Sequence, residues 1–124
     1  MRRVILVSLV LLAAACRPAV APAPPLPPRP CIDPHSSVDQ AIDCAFGSLG
    51  LARQDEAHRV AWCESRKNPA ATNGQYRGLF QLGSNYDGTI AHYGGNPFDS
   101  WVNAQTARDS VAANNGWIRW QCKP

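Results

Sequence analysis

The chain has 124 residues, 45% of them apolar, and its 12 lysines and arginines outnumber nine acidic residues to give a formal net charge of +3 at pH 7. Two of these positive charges, Arg2 and Arg3, stand at the N-terminus, and no basic stripe follows them. This distribution argues against a nucleic-acid partner. The length allows one modest hydrophobic core, so we expect one folded domain. We also expect the protein to be a monomer.

The N-terminus predicts a secretory signal over residues 1–15. Two arginines precede an apolar run over residues 4–15, which is too short for a membrane-spanning helix of about 20 residues. The run ends in LLAAAC, which resembles a bacterial lipoprotein processing site, although that site prefers leucine where this chain has Ala13. We predict that Cys16 is lipidated and holds the protein on a membrane, facing the periplasm or outer wall space. Cleavage by an ordinary signal peptidase after the alanines is the alternative.

A proline-rich segment follows, and residues 16–30 form the predicted lipidated cysteine and linker. Half of the stretch RPAVAPAPPLPPRP is proline, so it cannot bury apolar surface and is expected to be extended. At about 3.1 Å per residue it reaches roughly 40 Å. Such a tether suits an enzyme that works near a membrane, and an inert spacer fits equally well. The folded domain is predicted over residues 31–124.

The first predicted helix begins with a capping-box pattern at Ser37 and Gln40 and ends at Gly50. Its apolar positions recur at helical spacing, so they should form one buried face. That face comprises Val38, Ala41, Ile42, Ala45, Phe46 and Leu49.

The second predicted helix covers residues 55–66 and carries an acidic residue on its apolar stripe. Ala57, Val60 and Ala61 define the stripe, and the next position on it is Glu64. A carboxyl group that is partly buried near the negative end of a helix should have a raised pKa. A raised pKa is what a general acid needs near neutral pH. The alternative is a glutamate at a fraying helix end that reaches water or pairs with Arg66 or Lys67.

The rest of the chain predicts short elements and one long helix. Asn73-Gly74 predicts a tight turn, with a short extended segment or hairpin over residues 75–82, and a short helix is expected over residues 88–92. The last helix should open at Asp99 or Ser100 and end at Asn115-Gly116. The predicted fold is therefore mostly α, at the β-poor limit of α+β. The residues of this last helix that are predicted to face the core are Trp101, Ala104, Ala107, Val111 and Ala112.

Four cysteines fall in the predicted domain, and an even number in a small exported domain predicts two disulfides. We predict the pairs Cys31–Cys44 and Cys63–Cys122 among three possible pairings. The second pair would close about 60 residues, contribute roughly 4 kcal/mol in the chain-entropy model and fix the backbone beside Glu64. The chain has no CxxC pair, and its histidines show no ligand spacing. We therefore expect neither a metal nor another cofactor.

The stretch CESRKNPAATNGQYRGLFQL resembles the motif region of the lysozyme-like superfamily, in particular lytic transglycosylases and resuscitation-promoting factors. In those families a catalytic glutamate followed by serine ends a helix, as Glu64 and Ser65 would here. A Gly-Leu-x-Gln segment follows on a small hairpin and matches Gly78, Leu79 and Gln81. A late helix then runs into a tryptophan-rich end, here GWIRWQC, and the resemblance covers residues 60–122.

Comparison with these families bears on the second disulfide and on two further motifs. Resuscitation-promoting factors join a cysteine just before the catalytic glutamate to one near the domain end, which supports the second predicted pair. The Ala-Tyr-Asn motif of many lytic transglycosylases is not found, since residues 91–95 read AHYGG, so Tyr93 is not taken as a site residue. Asp87 and Thr89 match a DxGT-like element only loosely.

The resemblance implies a lysozyme-like catalytic domain that binds peptidoglycan glycan strands. Glu64 would act as general acid and base on the β-1,4 bond between N-acetylmuramic acid and N-acetylglucosamine. A lytic transglycosylase needs no second carboxylate, whereas a hydrolase (muramidase) would more often need one, for which Asp87 and Asp99 are the candidates. A domain that binds peptidoglycan without cutting it, or an envelope lipoprotein that serves protein contacts, is a further alternative.

Further side chains have predicted roles beside the acid. Gln81, Ser65 and Tyr76 are candidate substrate-binding residues. The alternative for each is a structural role. Gln81 and Ser65 would then hydrogen-bond the backbone, and Tyr76 would pack against neighbouring side chains. Three tryptophans are predicted to be structural rather than substrate contacts. Trp117 and Trp120 should lie in the core, and Trp62 in the core or in a cleft wall.

Overall fold

The computed structural model describes residues 19–124. The predicted signal over residues 1–15 and the predicted lipidation site at Cys16 lie outside this part of the chain. The described residues contain four α-helices, one antiparallel hairpin of two short strands and two 3-10 turns. The predicted mostly helical, β-poor class is therefore confirmed. None of the helices in residues 19–124 is long and apolar enough to cross a membrane.

The elements follow one another with short connections. The two 3-10 turns extend the end of the first helix and precede the third. The bounds are α1 Val38–Phe46, 3-10 turn Gly47–Leu49, α2 Leu51–Ser65, β1 Thr72–Asn73, β2 Tyr76–Arg77, 3-10 turn Ser84–Tyr86, α3 Asp87–His92 and α4 Ser100–Asn114.

Helix α1 begins as the capping pattern predicts. The Ser37 side chain accepts a hydrogen bond from the main-chain N–H of Gln40 at 3.1 Å. The Gln40 side chain does not complete the capping box, because its oxygen instead accepts from the main-chain N–H of Ile32. The chain leaves the following 3-10 turn at Gly50, whose φ of +88° favours glycine.

Helix α2 begins at Leu51, four residues earlier than predicted. Gly50 is the N-terminal cap and has no capping side chain, so the sequence contains no capping motif that would predict this start. The helix ends at Ser65 because Arg66 turns into the left-handed region, with φ of +56°. The main-chain N–H of Lys67 then closes the end by donating to the carbonyl oxygen of Ala61.

The core lies where α1, α2 and α4 meet the segment after the hairpin. Phe46 and Phe80 each stack on Trp117 and are tilted against each other, with ring centroids 5.5–5.9 Å apart. Trp120 joins them, so the prediction that Trp117 and Trp120 are core residues is confirmed. The prediction for Ala112 is wrong: on α4 the buried stripe takes Val111, and the adjacent Ala112 faces solvent.

Both predicted disulfides are present, Cys31–Cys44 and Cys63–Cys122. The first joins the segment before α1 to that helix. The second joins α2 to the C-terminal segment, across 59 positions of sequence.

The described part of the proline-rich segment, residues 19–30, forms neither helix nor strand and is exposed. Its end is nevertheless held by the domain. The main-chain N–H of Arg29 donates to the side-chain oxygen of Gln54 at 2.6 Å, and the Gln54 amide donates back to the Arg29 carbonyl at 3.0 Å. Contact with the domain therefore begins two residues before the predicted boundary at Cys31.

Candidate active site

A cleft of about 410 Å³ opens between the end of α2, the hairpin and the C-terminal segment. Glu64 lies in this cleft. Most of the other side chains that line it are amides and phenols, and Trp120 also lines it. Such a lining offers both hydrogen-bond donors and acceptors beside an aromatic surface. The amides and phenols are Asn73, Tyr76, Gln81, Asn85, Tyr86 and Gln121.

Glu64 is half-buried, and its environment changes its acidity. Burial raises the pKa of Glu64 above its ordinary value of 4.5. Two weaker effects oppose the rise, namely a hydrogen bond from the main-chain N–H of Cys122 at 3.2 Å and the charge of Lys123. Because burial is the largest of these effects, the protonated carboxyl group persists to higher pH than in a free glutamate.

The alternative pairing of Glu64 with its basic neighbours is not formed. The Arg66 guanidinium lies over the Trp62 ring, 5.3 Å from its centroid. The Lys67 ammonium donates to Asp39 at 2.6 Å. Glu64 forms no salt bridge with any cation in residues 19–124. Its carboxyl group therefore faces the cleft without a counter-ion in direct contact.

Three constraints hold the helix end that carries Glu64. The preceding stripe, Ala57, Val60 and Ala61, is fully buried as predicted. The neighbouring Cys63 is tied to the C-terminal segment by its disulfide. On the other side, the Ser65 hydroxyl lies 2.8 Å from the carbonyl oxygen of Leu79, just after the hairpin. The acid is thus fixed relative to both walls of the cleft.

The predicted substrate-binding residues occupy different places. Tyr76, on β2, is 46% exposed and lines the cleft. Gln81 also lines it, while its amide nitrogen donates to the carbonyl oxygens of Gly78 at 2.9 Å and Ala71 at 3.2 Å. Ser65 is not among the lining residues, and its hydroxyl is directed to backbone carbonyls. This geometry gives Ser65 a structural contact, and its contact with substrate stays a prediction.

Neither of the two candidate second carboxylates lines the cleft. Asp87 forms an ion pair with Arg77 at the start of α3. Asp99 caps α4 by accepting from the main-chain N–H of Val102 at 3.0 Å. Within the described chain, Glu64 is the one acidic residue that lines the cleft. The cleft can therefore supply a single carboxyl group for proton transfer.

Trp62 does not line this cleft, and its prediction as a core or cleft-wall residue is wrong. Its side chain is 53% exposed on the outer face of α2, where it borders a shallow depression with Arg59. The residue is two positions before Glu64, and two helical positions correspond to a rotation of about 200° around the axis. Trp62 therefore lies on nearly the opposite side of the helix from Glu64 and faces outward.

Sequence reasoning missed Arg119 and Gln121, which line the cleft from the C-terminal segment. Both flank Trp120, which is buried, and both are exposed. The spacing of Trp117 and Trp120 predicted their shared face, but it could not show which surface the exposed residues between and beyond them would face. No group of three or more histidine, cysteine, aspartate or glutamate residues suited to a metal ion occurs in residues 19–124.

Comparison of the chain with protein-family models gives no match, and comparisons with curated proteins and with solved structures give no significant match. The assignment of function therefore depends on the residues and geometry described above.

Proposed function

We propose that this chain is a peptidoglycan-cleaving lytic transglycosylase with a lysozyme-like domain, acting on the β-1,4 bond between N-acetylmuramic acid and N-acetylglucosamine. The observation that carries the proposal is the position of Glu64. Its half-buried carboxyl group, with a raised pKa, lies in an open cleft. No other acidic residue in the described part of the chain lines that cleft. A general acid requires both the retained proton and the access.

The chemistry begins with a proton transfer. Protonated Glu64 donates to the glycosidic oxygen, the bond from that oxygen to the muramic acid C1 breaks, and the sugar passes through an oxocarbenium-like state. The sugar's own N-acetyl group supports the positive charge at C1. The ionised Glu64 then accepts the proton of the sugar's 6-hydroxyl as that oxygen attacks C1. The product has a 1,6-anhydro end, and Glu64 is protonated again.

The cleft lining favours this reaction over hydrolysis. A hydrolase commonly uses a second carboxylate as nucleophile or as the base that activates water. Glu64 has no such partner on the described lining, since Asp87 is paired with Arg77 and Asp99 caps a helix. The transglycosylase route needs one carboxyl group, because the substrate supplies both the supporting group and the nucleophile.

Gln81 and Tyr76 are proposed to hold the substrate beside Glu64. Because the Gln81 amide nitrogen is held by two backbone carbonyls, its orientation in the cleft is fixed. We assign its side-chain oxygen the role of accepting a hydrogen bond from an N-acetyl N–H of the sugar. Tyr76 offers a partly exposed ring face and a hydroxyl to a neighbouring sugar.

The protein is further proposed to be exported and anchored by a lipid on Cys16. The two disulfides support an oxidising compartment. An extended tether between anchor and domain lets the cleft reach glycan strands at some distance from the membrane.

The test of the reaction is mass spectrometry of the fragments released from purified peptidoglycan. Fragments with 1,6-anhydro ends are the expected result. Reducing ends would identify a hydrolase, and a protein that binds peptidoglycan while releasing no fragment would be a binding module.

A further inference from the structure

Arg119 is the one arginine on the lining of the cleft that holds Glu64, as far as the chain is described. Its side chain is exposed and forms no salt bridge with a carboxylate in residues 19–124. The cation that acts on the pKa of Glu64 is Lys123. Arg119 is therefore available to a ligand in the cleft.

The backbone that carries Arg119 is fixed on both sides. Trp117 and Trp120 are 4% and 6% exposed, and the Trp120 indole N–H donates to the carbonyl oxygen of Phe80 at 2.8 Å. Two residues further on, Cys122 is held by its disulfide to Cys63. The guanidinium is thus presented from an anchored segment rather than from a loose terminus, which lowers the entropy lost on binding.

The remaining cleft is suited to neutral sugars. Amide and phenol side chains hydrogen-bond hydroxyl and N-acetyl groups, and none of them requires a charged ligand. A guanidinium differs, because its planar fork of N–H donors matches a carboxylate and forms stronger, charge-assisted hydrogen bonds. Its presence among amide and phenol side chains, without an ion pair to Glu64, indicates an anionic group on the substrate.

We propose that Arg119 binds a carboxylate of the substrate, so that the cleft selects an anionic glycan over a neutral one. The inference rests on the proposed function, since it concerns the substrate of the same cleft. In peptidoglycan that carboxylate has two sources: the lactyl group of a muramic acid without a peptide, or the peptide stem where the lactyl group is amidated. Both present the same chemistry to Arg119.

The experiment measures binding to the Glu64→Gln variant, so that no ligand is consumed. Three oligosaccharides of equal length, built from N-acetylmuramic acid and N-acetylglucosamine, are compared by calorimetry. One has free lactyl carboxylates, one has these carboxylates reduced to alcohols, and one carries peptide stems. The Arg119→Gln change is then added, with Arg59→Gln as the matched control. Arg59 is also exposed, and it borders the separate depression near Trp62.

At least one of the two carboxylated ligands, the peptide-free or the peptide-bearing one, should bind about 10- to 100-fold more tightly than the reduced one. Arg119→Gln should remove that difference, Arg119→Lys should retain part of it, and Arg59→Gln should leave it unchanged. Loss of the preference with the peptide-free ligand identifies the lactyl carboxylate, and loss with the peptide-bearing ligand alone identifies the stem. Matching thermal unfolding curves would exclude a folding defect as the cause.

The inference is overturned if no ligand binds, if carboxylated and reduced ligands bind alike, or if the preference survives Arg119→Gln. An equal loss of affinity for all three ligands would also overturn it. Failure of the proposed reaction is a separate result, because it is read from cleavage by the unsubstituted protein. A carboxylate preference that depends on Arg119 stands whether or not the bond is cut.

Discussion

The main-chain N–H of Cys122 donates a 3.2 Å hydrogen bond to Glu64 Oε1, although the two residues are 58 positions apart. The same Cys122 is joined by its disulfide to Cys63, the residue before the acid. One covalent link therefore sets both the position of the helix end and the distance from the carboxyl group to its hydrogen-bond donor.

Replacing Cys63 and Cys122 by serine should lower the free energy of unfolding by about 4 kcal/mol in the chain-entropy model, because the bridge closes a long loop. Peptidoglycan cleavage should fall as well, since Glu64 loses the covalent support of its position. Denaturant unfolding and fragment release measure the two effects.

The matched control is the Cys31–Cys44 pair, with a separation of 13 positions. Its removal should cost about 3 kcal/mol by the same model, with little effect on cleavage by the folded fraction. Equal losses of cleavage for the two bridges would contradict a special role for Cys63–Cys122.

Glu64→Gln should stabilise the protein at neutral pH. The raised pKa of Glu64 means that the folded state holds this proton more tightly than the unfolded chain. Its contribution to stability is fully present below the ordinary value of 4.5 and is lost as pH rises through the folded pKa. Glutamine cannot ionise, and its oxygen can still accept from Cys122.

Denaturant unfolding at pH 4 and pH 7 measures this effect. The stability of the variant relative to the unsubstituted protein should increase from the lower to the higher pH. A difference that is constant, or that moves the other way, would show that burial does not dominate the acidity of Glu64.

Asn103 on α4 fixes the hairpin side of the cleft from within the core. The residue is fully buried, and its side-chain oxygen accepts from the main-chain N–H of Phe80 at 2.9 Å. Its amide nitrogen donates to the carbonyl oxygens of Pro97 at 2.7 Å and Arg77 at 3.1 Å. Asn103→Ala leaves these groups unpaired, so the free energy of unfolding should fall by about 2–3 kcal/mol.

Asn114→Ala is the control on the same helix. The Asn114 amide donates within α4, to Ser110, and alanine has the higher helix propensity. The expected loss is below about 1 kcal/mol. Similar unfolding curves for the two variants would remove Asn103 as the support of the hairpin.

The lipid anchor is tested by Cys16→Ser. Loss of the lipidated side chain should move the protein from the membrane fraction to the soluble fraction, which immunoblotting of fractionated cells measures. Unchanged membrane association would reject lipidation at this cysteine.

Local sequence signals accounted for much of the fold. The Ser37 cap, the left-handed Asn115 and the inward positions of Ala57, Val60 and Ala61 all follow from residue type and helical spacing. The start of α2 could not be read in this way, because Gly50 caps it without a side chain. Periodicity also identified Glu64 as a carboxylate on a buried stripe.

Long-range contacts accounted for what the sequence did not reveal. Asn103 is polar and fully buried, and the spacing of apolar residues cannot predict the burial of a polar residue. Arg119 reaches the cleft only because the C-terminal segment packs beside α2. The spatial neighbours of Glu64 come from segments that tertiary packing alone brings together, so their roles could not be assigned from spacing.

The central claim is that Glu64 supplies the proton that cuts the glycan. The most direct measurement compares fragments released from purified peptidoglycan by the unsubstituted protein, by Glu64→Gln and by Glu56→Gln. Glu56 is the chain's other glutamate, and it pairs with Arg53 outside the cleft. We predict 1,6-anhydro fragments from the unsubstituted protein and from folded Glu56→Gln, with none from folded Glu64→Gln. No fragments from the unsubstituted protein, or undiminished release by Glu64→Gln, would contradict the account.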